Sequence, residues 1–138
     1  MEITFTIPGP AVGKGRPKAA RRGNFITMYT PEKTASYESM VKVLAQDAMN
    51  GEPPTKSPCT LIMTIEVSVP ASWSDKKTKL ALSGLIFPTT KPDLDNVLKT
   101  VCDAMNGIAY DDDKQIVYCI IRKNYSVTPK VVVHVQDT

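Results

Sequence analysis

Residues 2–7, EITFTI, set Ile3, Phe5 and Ile7 against Glu2, Thr4 and Thr6. Strict alternation of this kind is the period of a strand with one buried face. The run PGPAVGKGRPKAARRGN breaks the pattern with glycine and proline and predicts a loop. A helical period takes over in TPEKTASYESMVKVLAQDAMNG, where Tyr37, Met40, Val41, Leu44, Ala45 and Ala48 form one stripe. Thr30 is placed to cap this helix, Pro31 suits its first turn and Gly51 its stop. Alternation returns in TLIMTIEVSV, with Leu61, Met63, Ile65, Val67 and Val69 on one face. After Pro70, SDKKTKLALSG reads as a short helix from a Ser74 cap to Gly84. The loop LIFPTTKP leads into a second long helix, whose apolar face is Leu94, Val97, Leu98, Val101, Cys102 and Met105 and whose stop is Gly107. QIVYCIIRKNY is apolar on both faces over its first half, the pattern of a central strand, and KVVVHVQ closes the set.

The order strand, helix, strand, helix, helix, strand, strand predicts an α+β (mixed α/β) fold, a sheet of about four strands with helices packed on one face. A chain of 138 residues is the size of one domain with one core, and no repeat or linker divides residues 1–138. No apolar run approaches the ~20 residues of a membrane span. The start, MEITFTIPGP, lacks the basic and apolar parts of a secretory signal, so a cytoplasmic location is expected. Cys59, Cys102 and Cys119 form no C-x-x-C pair and His134 is the only histidine, which nearly excludes zinc sites of the common Cys/His kinds. A Ser-His or Cys-His nucleophile pair would rest on His134 alone, and its place between Val133 and Val135 points instead to a strand face.

Charge changes the picture. The chain carries a net +3, yet Asp93, Asp95, Asp103, Asp111, Asp112 and Asp113 crowd into one segment. Pro92 biases its predecessor toward extended backbone, and two residues apart on extended chain Asp93 and Asp95 point the same way. Asp95 could instead cap the helix. Lys99 lies at i+4 from Asp95, on the same helical face. If the strand after Gly107 runs beside the helix, the acids 111–113 can meet Asp93 and Asp95. Carboxylates from two clusters suit a hard divalent cation such as Mg²⁺, which would offset their repulsion. A merely solvated acidic loop is the alternative. An EF-hand fits poorly, because Val97 and Leu98 stand where its loop needs an oxygen ligand and a glycine.

The opposite charge is gathered in Lys14, Arg16, Lys18, Arg21 and Arg22, a stretch without acid. Such an arm can lie along a phosphate backbone, or it can simply keep the protein soluble. Together, a cation-binding acidic cluster and a basic arm are what metal-dependent cleavage of nucleic acid requires.

KPDLDNVLKTVCDAMNGIAYDDDKQI resembles the signature of the RusA-like Holliday-junction resolvases: P-D-x-D-N-x-x-K, then D-A-x-x-G, then D-D-x-Q. IPGPAVGKGRPK and YTPEKTASYE are similar to that family's opening, so the resemblance covers most of the chain. It implies a small homodimeric endonuclease of bacteria and their phages, acting in DNA recombination and repair. Such enzymes cut four-way DNA junctions with Mg²⁺ or Mn²⁺ by paired nicks in opposing strands. Asp93, Asp95 and Asp113 would be catalytic metal ligands, with Asp112 as the alternative to Asp113. Asp111, a third consecutive acid, leaves that register open. Lys99 would be catalytic beside the phosphate. Asp103 would be structural, and Glu66 either a further ligand or simply solvated. Two other functions compete: a metal-dependent nuclease on another branched or single-stranded nucleic acid, and a non-catalytic nucleic-acid-binding protein.

Overall fold

A computed structural model describes every residue from Met1 to Thr138. Its elements are β1 (Glu2–Pro8), β2 (Lys18–Arg22), β3 (Phe25–Tyr29), α1 (Glu32–Met49), β4 (Cys59–Ser68), α2 (Asp75–Leu82), α3 (Leu94–Met105), β5 (Ile116–Ser126) and β6 (Lys130–Asp137). A single 3-10 turn, Asp113–Gln115, leads into β5.

The alternating runs form the frame. Strands β1, β6, β4 and β5 make one sheet in that order, antiparallel except for the parallel pair β4–β5. Ile3, Phe5 and Ile7 of β1, Val131, Val133 and Val135 of β6, and Leu61, Met63 and Ile65 of β4 are buried together. Against them lie Tyr37, Val41, Ala45 and Met49 of α1 and Val97, Val101, Cys102 and Met105 of α3. This is the expected α+β arrangement, with the sheet's apolar side covered by helices of 3.6-residue period. Helix α2 starts where its cap puts it: Ser74 Oγ accepts from Lys77 N at 3.2 Å. No helix is long and apolar enough to cross a membrane.

Three expectations are corrected. Residues 8–24 are not all loop, since β2 pairs with β3 as a separate hairpin, Arg22 opposite Phe25 across the two-residue turn Gly23–Asn24. Gly23 sits at φ +62, the left-handed conformation such tight turns require. The hairpin escapes a periodicity reading because it buries neither face; only Ala20 is even half-buried. Strand β5 is an edge strand, not a central one. Its apolar residues Val117, Tyr118 and Ile120 are 68%, 58% and 40% exposed. Finally, the capping position of α1 is Pro31 rather than Thr30, and no side chain caps that end.

Candidate active site

The start of α3 is seated by the loop that follows β1. Lys14 N donates to Asn96 O at 3.1 Å, and Gly15 N donates to Thr34 Oγ1 at 3.1 Å. A Cβ on Gly15 would come within 2.8 Å of both Pro31 Cγ and Thr34 Oγ1, so only glycine lets the loop lie this close to α1. From the other side, Lys123 Nζ of β5 donates to Thr90 O at 2.5 Å and to Pro92 O at 3.0 Å. The backbone just before the D-L-D run is therefore held at two carbonyls.

Asp93 occupies the N-cap position of α3 with extended backbone, and its side chain makes no capping hydrogen bond. Asp95 lies inside the first turn, so the cap considered for it does not form. Both are exposed, and neither takes part in an ion pair. Two carboxylates thus stand at the positive end of a helix with no partner inside the chain. Beside Asp93 runs a groove lined by Gly13, Lys14, Lys91, Pro92, Asp93 and Asn96, continuing to Lys33 and Thr34.

The second acidic group sits at the other end of α3. Asn106, at the helix C-terminus, accepts from Asp113 N through Oδ1 at 2.9 Å. The fully buried Tyr110 donates its hydroxyl to Cys102 O at 2.8 Å and locks the turn against the last helical residues. Burial pushes that phenol's pKa well up, as expected for a hydroxyl that stays neutral in the core. The three consecutive acids then separate. Asp111 pairs with exposed Lys56 at 3.4 Å. Asp112 accepts from Lys114 N at 3.0 Å while its own N–H donates to Gln115 Oε1 at 2.9 Å, a capping box. That backbone hydrogen bond holds the Asp112 carboxyl below its usual range. Asp113 faces Asp103 and Asp112, and burial, reinforced by these acids, pushes its carboxyl up.

Asp113, held by Asn106 and facing Asp103, lies roughly 15–20 Å along the helix from Asp93 at 1.5 Å per residue. The expected meeting of the two clusters does not occur within one chain. Asn106 and Tyr110 pin the turn at the C-terminal end of the helix and keep it from folding back. Accordingly, no three acidic, histidine or cysteine side chains converge as a metal cage. The hard oxygen donors at the start of α3 still fit Mg²⁺, which needs only one or two carboxylates beside water and substrate phosphate.

Residues 8–136 match the family described as Endodeoxyribonuclease RusA. The chain belongs to the RusA endodeoxyribonuclease family. It is also 35% identical over 137 residues to the uncharacterized protein YqaN of Bacillus subtilis (strain 168), across 98% of this chain and 96% of that one. RusA membership implies a Holliday-junction-resolving nuclease with branched DNA as its partner.

Set in the RusA frame, the remaining sequence candidates divide. Lys99 is exposed and forms no ion pair with Asp95, which leaves its ammonium available. Arg16, Lys18, Arg21 and Arg22 are exposed and unpaired by acids. Lys14 is different: its ammonium lies 2.6 Å from Glu38 Oε1 and 3.1 Å from Asp103 Oδ2, so it is bound inside the protein rather than free for DNA. Asp103 thus holds the Lys14 ammonium and also faces Asp113. Glu66 pairs with Lys130 at 3.6 Å, and His134 meets Thr4 Oγ1 at 2.8 Å on the sheet. Sequence reasoning missed Gln115 and Lys123. Gln115 Nε2 donates to Thr55 O and Ser57 O, bracing the acidic turn on the segment before β4, and its only signal was its place in D-D-x-Q. Nothing in the sequence marked Lys123.

Proposed function

We propose that this RusA-family chain is a metal-dependent, structure-selective endodeoxyribonuclease that resolves four-way DNA junctions by paired phosphodiester hydrolysis. It works as a homodimer with Mg²⁺, for which Mn²⁺ can substitute. The observation that carries the reading is the pair of unpartnered carboxylates, Asp93 and Asp95, at the start of α3, with Asp93 on a groove edged by Lys14, Lys33 and Lys91. Acids without internal partners repel each other and the substrate, and a protein keeps them exposed together where a cation joins them.

Asp93 and Asp95 would hold the ion, with Asp113 as the third ligand. Bound Mg²⁺ supplies Lewis acidity toward the phosphate and lowers the pKa of water. Lys33 and Lys91 hold flanking phosphates as point charges, and Arg16, Lys18, Arg21 and Arg22 extend that track. Lys99, one turn into α3, places its ammonium where charge on the departing oxygen develops.

The free edge of β5 supports the homodimer. Its exposed Val117, Tyr118 and Ile120 would otherwise be an aggregation hazard. Two copies related by a two-fold axis would pair these edges antiparallel. The start of β5, beside Asp113, would then lie against the end of the second β5, where Lys123 grips the loop before the partner subunit's Asp93. Such pairing brings together carboxylates that one chain holds at opposite ends of α3.

Incubation of the protein with a synthetic four-way junction and a matched linear duplex, with Mg²⁺, Mn²⁺ or chelator, tests the reading. Symmetric, metal-dependent nicks in the junction alone are expected. Asp93→Asn, Asp95→Asn and Lys99→Ala should each lower cleavage by about 100-fold or more while junction binding persists. Equal cutting of the duplex would replace the resolvase with a broader nuclease. Full cleavage by all three variants would remove the assigned site.

A further inference from the structure

The β2–β3 hairpin has two unlike faces. Its register sets Lys18 opposite Tyr29, Ala20 opposite Thr27, and Arg22 opposite Phe25. Residues directly opposite in antiparallel strands project to the same side. One face therefore carries two cation–aromatic pairs separated by small residues, and the other carries Met28, Ile26 and Arg21 with Ala19. Phe25 and Tyr29 are 75% and 48% exposed. The hairpin packs substantially on no other element, which leaves Phe25 mostly open and Tyr29 about half open to solvent. From Pro8 to Pro31 there is no acidic residue, so every charge the hairpin itself carries is positive.

A face that offers aromatic rings and cations together matches a polyanion with open π-faces. Continuous duplex offers none, because each base is covered by its neighbours; base faces open at branch points and in unpaired strands. Four residues of antiparallel strand put Phe25 and Tyr29 about 14 Å apart, so each ring receives its own unstacked base rather than adjacent members of a stack. We propose that this hairpin face recognises the branch point itself. Phe25 and Tyr29 stack on bases exposed there, and Lys18 and Arg22 hold the adjoining phosphates. The inference rests on the branched-DNA reading above and adds a reason for structure selectivity without base-edge contacts.

The test measures binding in chelator, where nothing is cut, to a four-way junction, a linear duplex and a single strand. Phe25→Ala/Tyr29→Ala should weaken junction binding by about tenfold or more while leaving duplex binding unchanged. Phe25→Trp/Tyr29→Trp should retain wild-type affinity. Ile26→Ser/Met28→Ser, on the opposite face, should bind the junction as the wild type does. An unchanged thermal melt of each variant confirms that the fold is intact. The proposal is overturned if the double alanine variant binds the junction normally, or if it loses junction and duplex equally. It is also overturned if sedimentation shows that this variant has lost an oligomer the wild type forms, since the face would then join copies. If the wild type itself binds junction and duplex alike, the resolvase reading falls. The single strand then decides the hairpin: the same tenfold loss there upholds base stacking, and no loss ends it.

Discussion

Lys14 Nζ donates to Glu38 Oε1 at 2.6 Å, so a lysine of the basic arm ties the loop after β1 to the middle of α1. The same ammonium reaches Asp103 on α3 at 3.1 Å, and all three side chains are half-buried. Lys14→Ala leaves two carboxylates facing each other without a cation. It should destabilise the fold by about 1–2 kcal/mol and lower Tm by roughly 5 °C. A residue that only touched DNA would leave the melt unmoved. The hydrogen bond to Glu38, against opposing desolvation, raises the Lys14 pKa above its ordinary 10.5. A raised folded pKa gives stability that is complete below 10.5 and lost as pH climbs through the folded value. Thermal melts of wild type and variant should therefore differ throughout the neutral range and converge only in alkali.

Asp113 gives the opposite sign. Its carboxyl is pushed above the ordinary 3.8 by burial and then by Asp112 and Asp103. The folded state thus binds that proton more tightly than the unfolded chain does, and stability declines as pH rises from 3.8 through the folded value. Without divalent metal, Asp113→Asn should relieve about 0.5 kcal/mol of repulsion at pH 7 and raise Tm by about 2 °C. At pH 3, where the wild-type carboxyl is already protonated, the gain should vanish. The same substitution should abolish cleavage. A lower Tm at pH 7 would contradict the placement of Asp113 among acids.

Pairing along β5 makes a prediction that no single variant can test. Asp93→Asn and Asp113→Asn should each be inactive alone. In a mixed dimer, both substitutions fall in one composite site and leave the other with native acids. Mixing the two proteins should restore nicking of one strand of the junction, at about a quarter of the wild-type amount of site when subunits pair at random, with no paired cut. If the mixture stays inactive while mass measurements show that mixed dimers form, the acids of different chains do not share a site.

Elements that bury a face were legible in the sequence. Ile3, Phe5 and Ile7, or Tyr37, Val41 and Ala45, repeat with the period of their element because the core imposes it. The β2–β3 hairpin buries neither face, so no period announces it, and residues 8–24 read as one loop although Gly23–Asn24 is a hairpin-turn pair. Val117, Tyr118 and Ile120 misled in the other direction, since an apolar edge strand imitates a central one. Near the site, the placement of Asp93 and Asp95 at the start of α3 was legible because it is local. The distance to Asp113 depends on how Asn106 and Tyr110 anchor a turn, and the confinement of Lys14 depends on Glu38, 24 residues away. Such relations exist only once the chain has folded.

Because the β2–β3 hairpin is held by its own ladder and a two-residue turn, its backbone can open without disturbing the core. A lone two-stranded hairpin is marginally stable in water, so its amides should exchange with solvent far faster than those of β4 and β6. The protein thus pairs a stiff frame with one soft element, and whatever the hairpin binds must also supply the free energy that orders it.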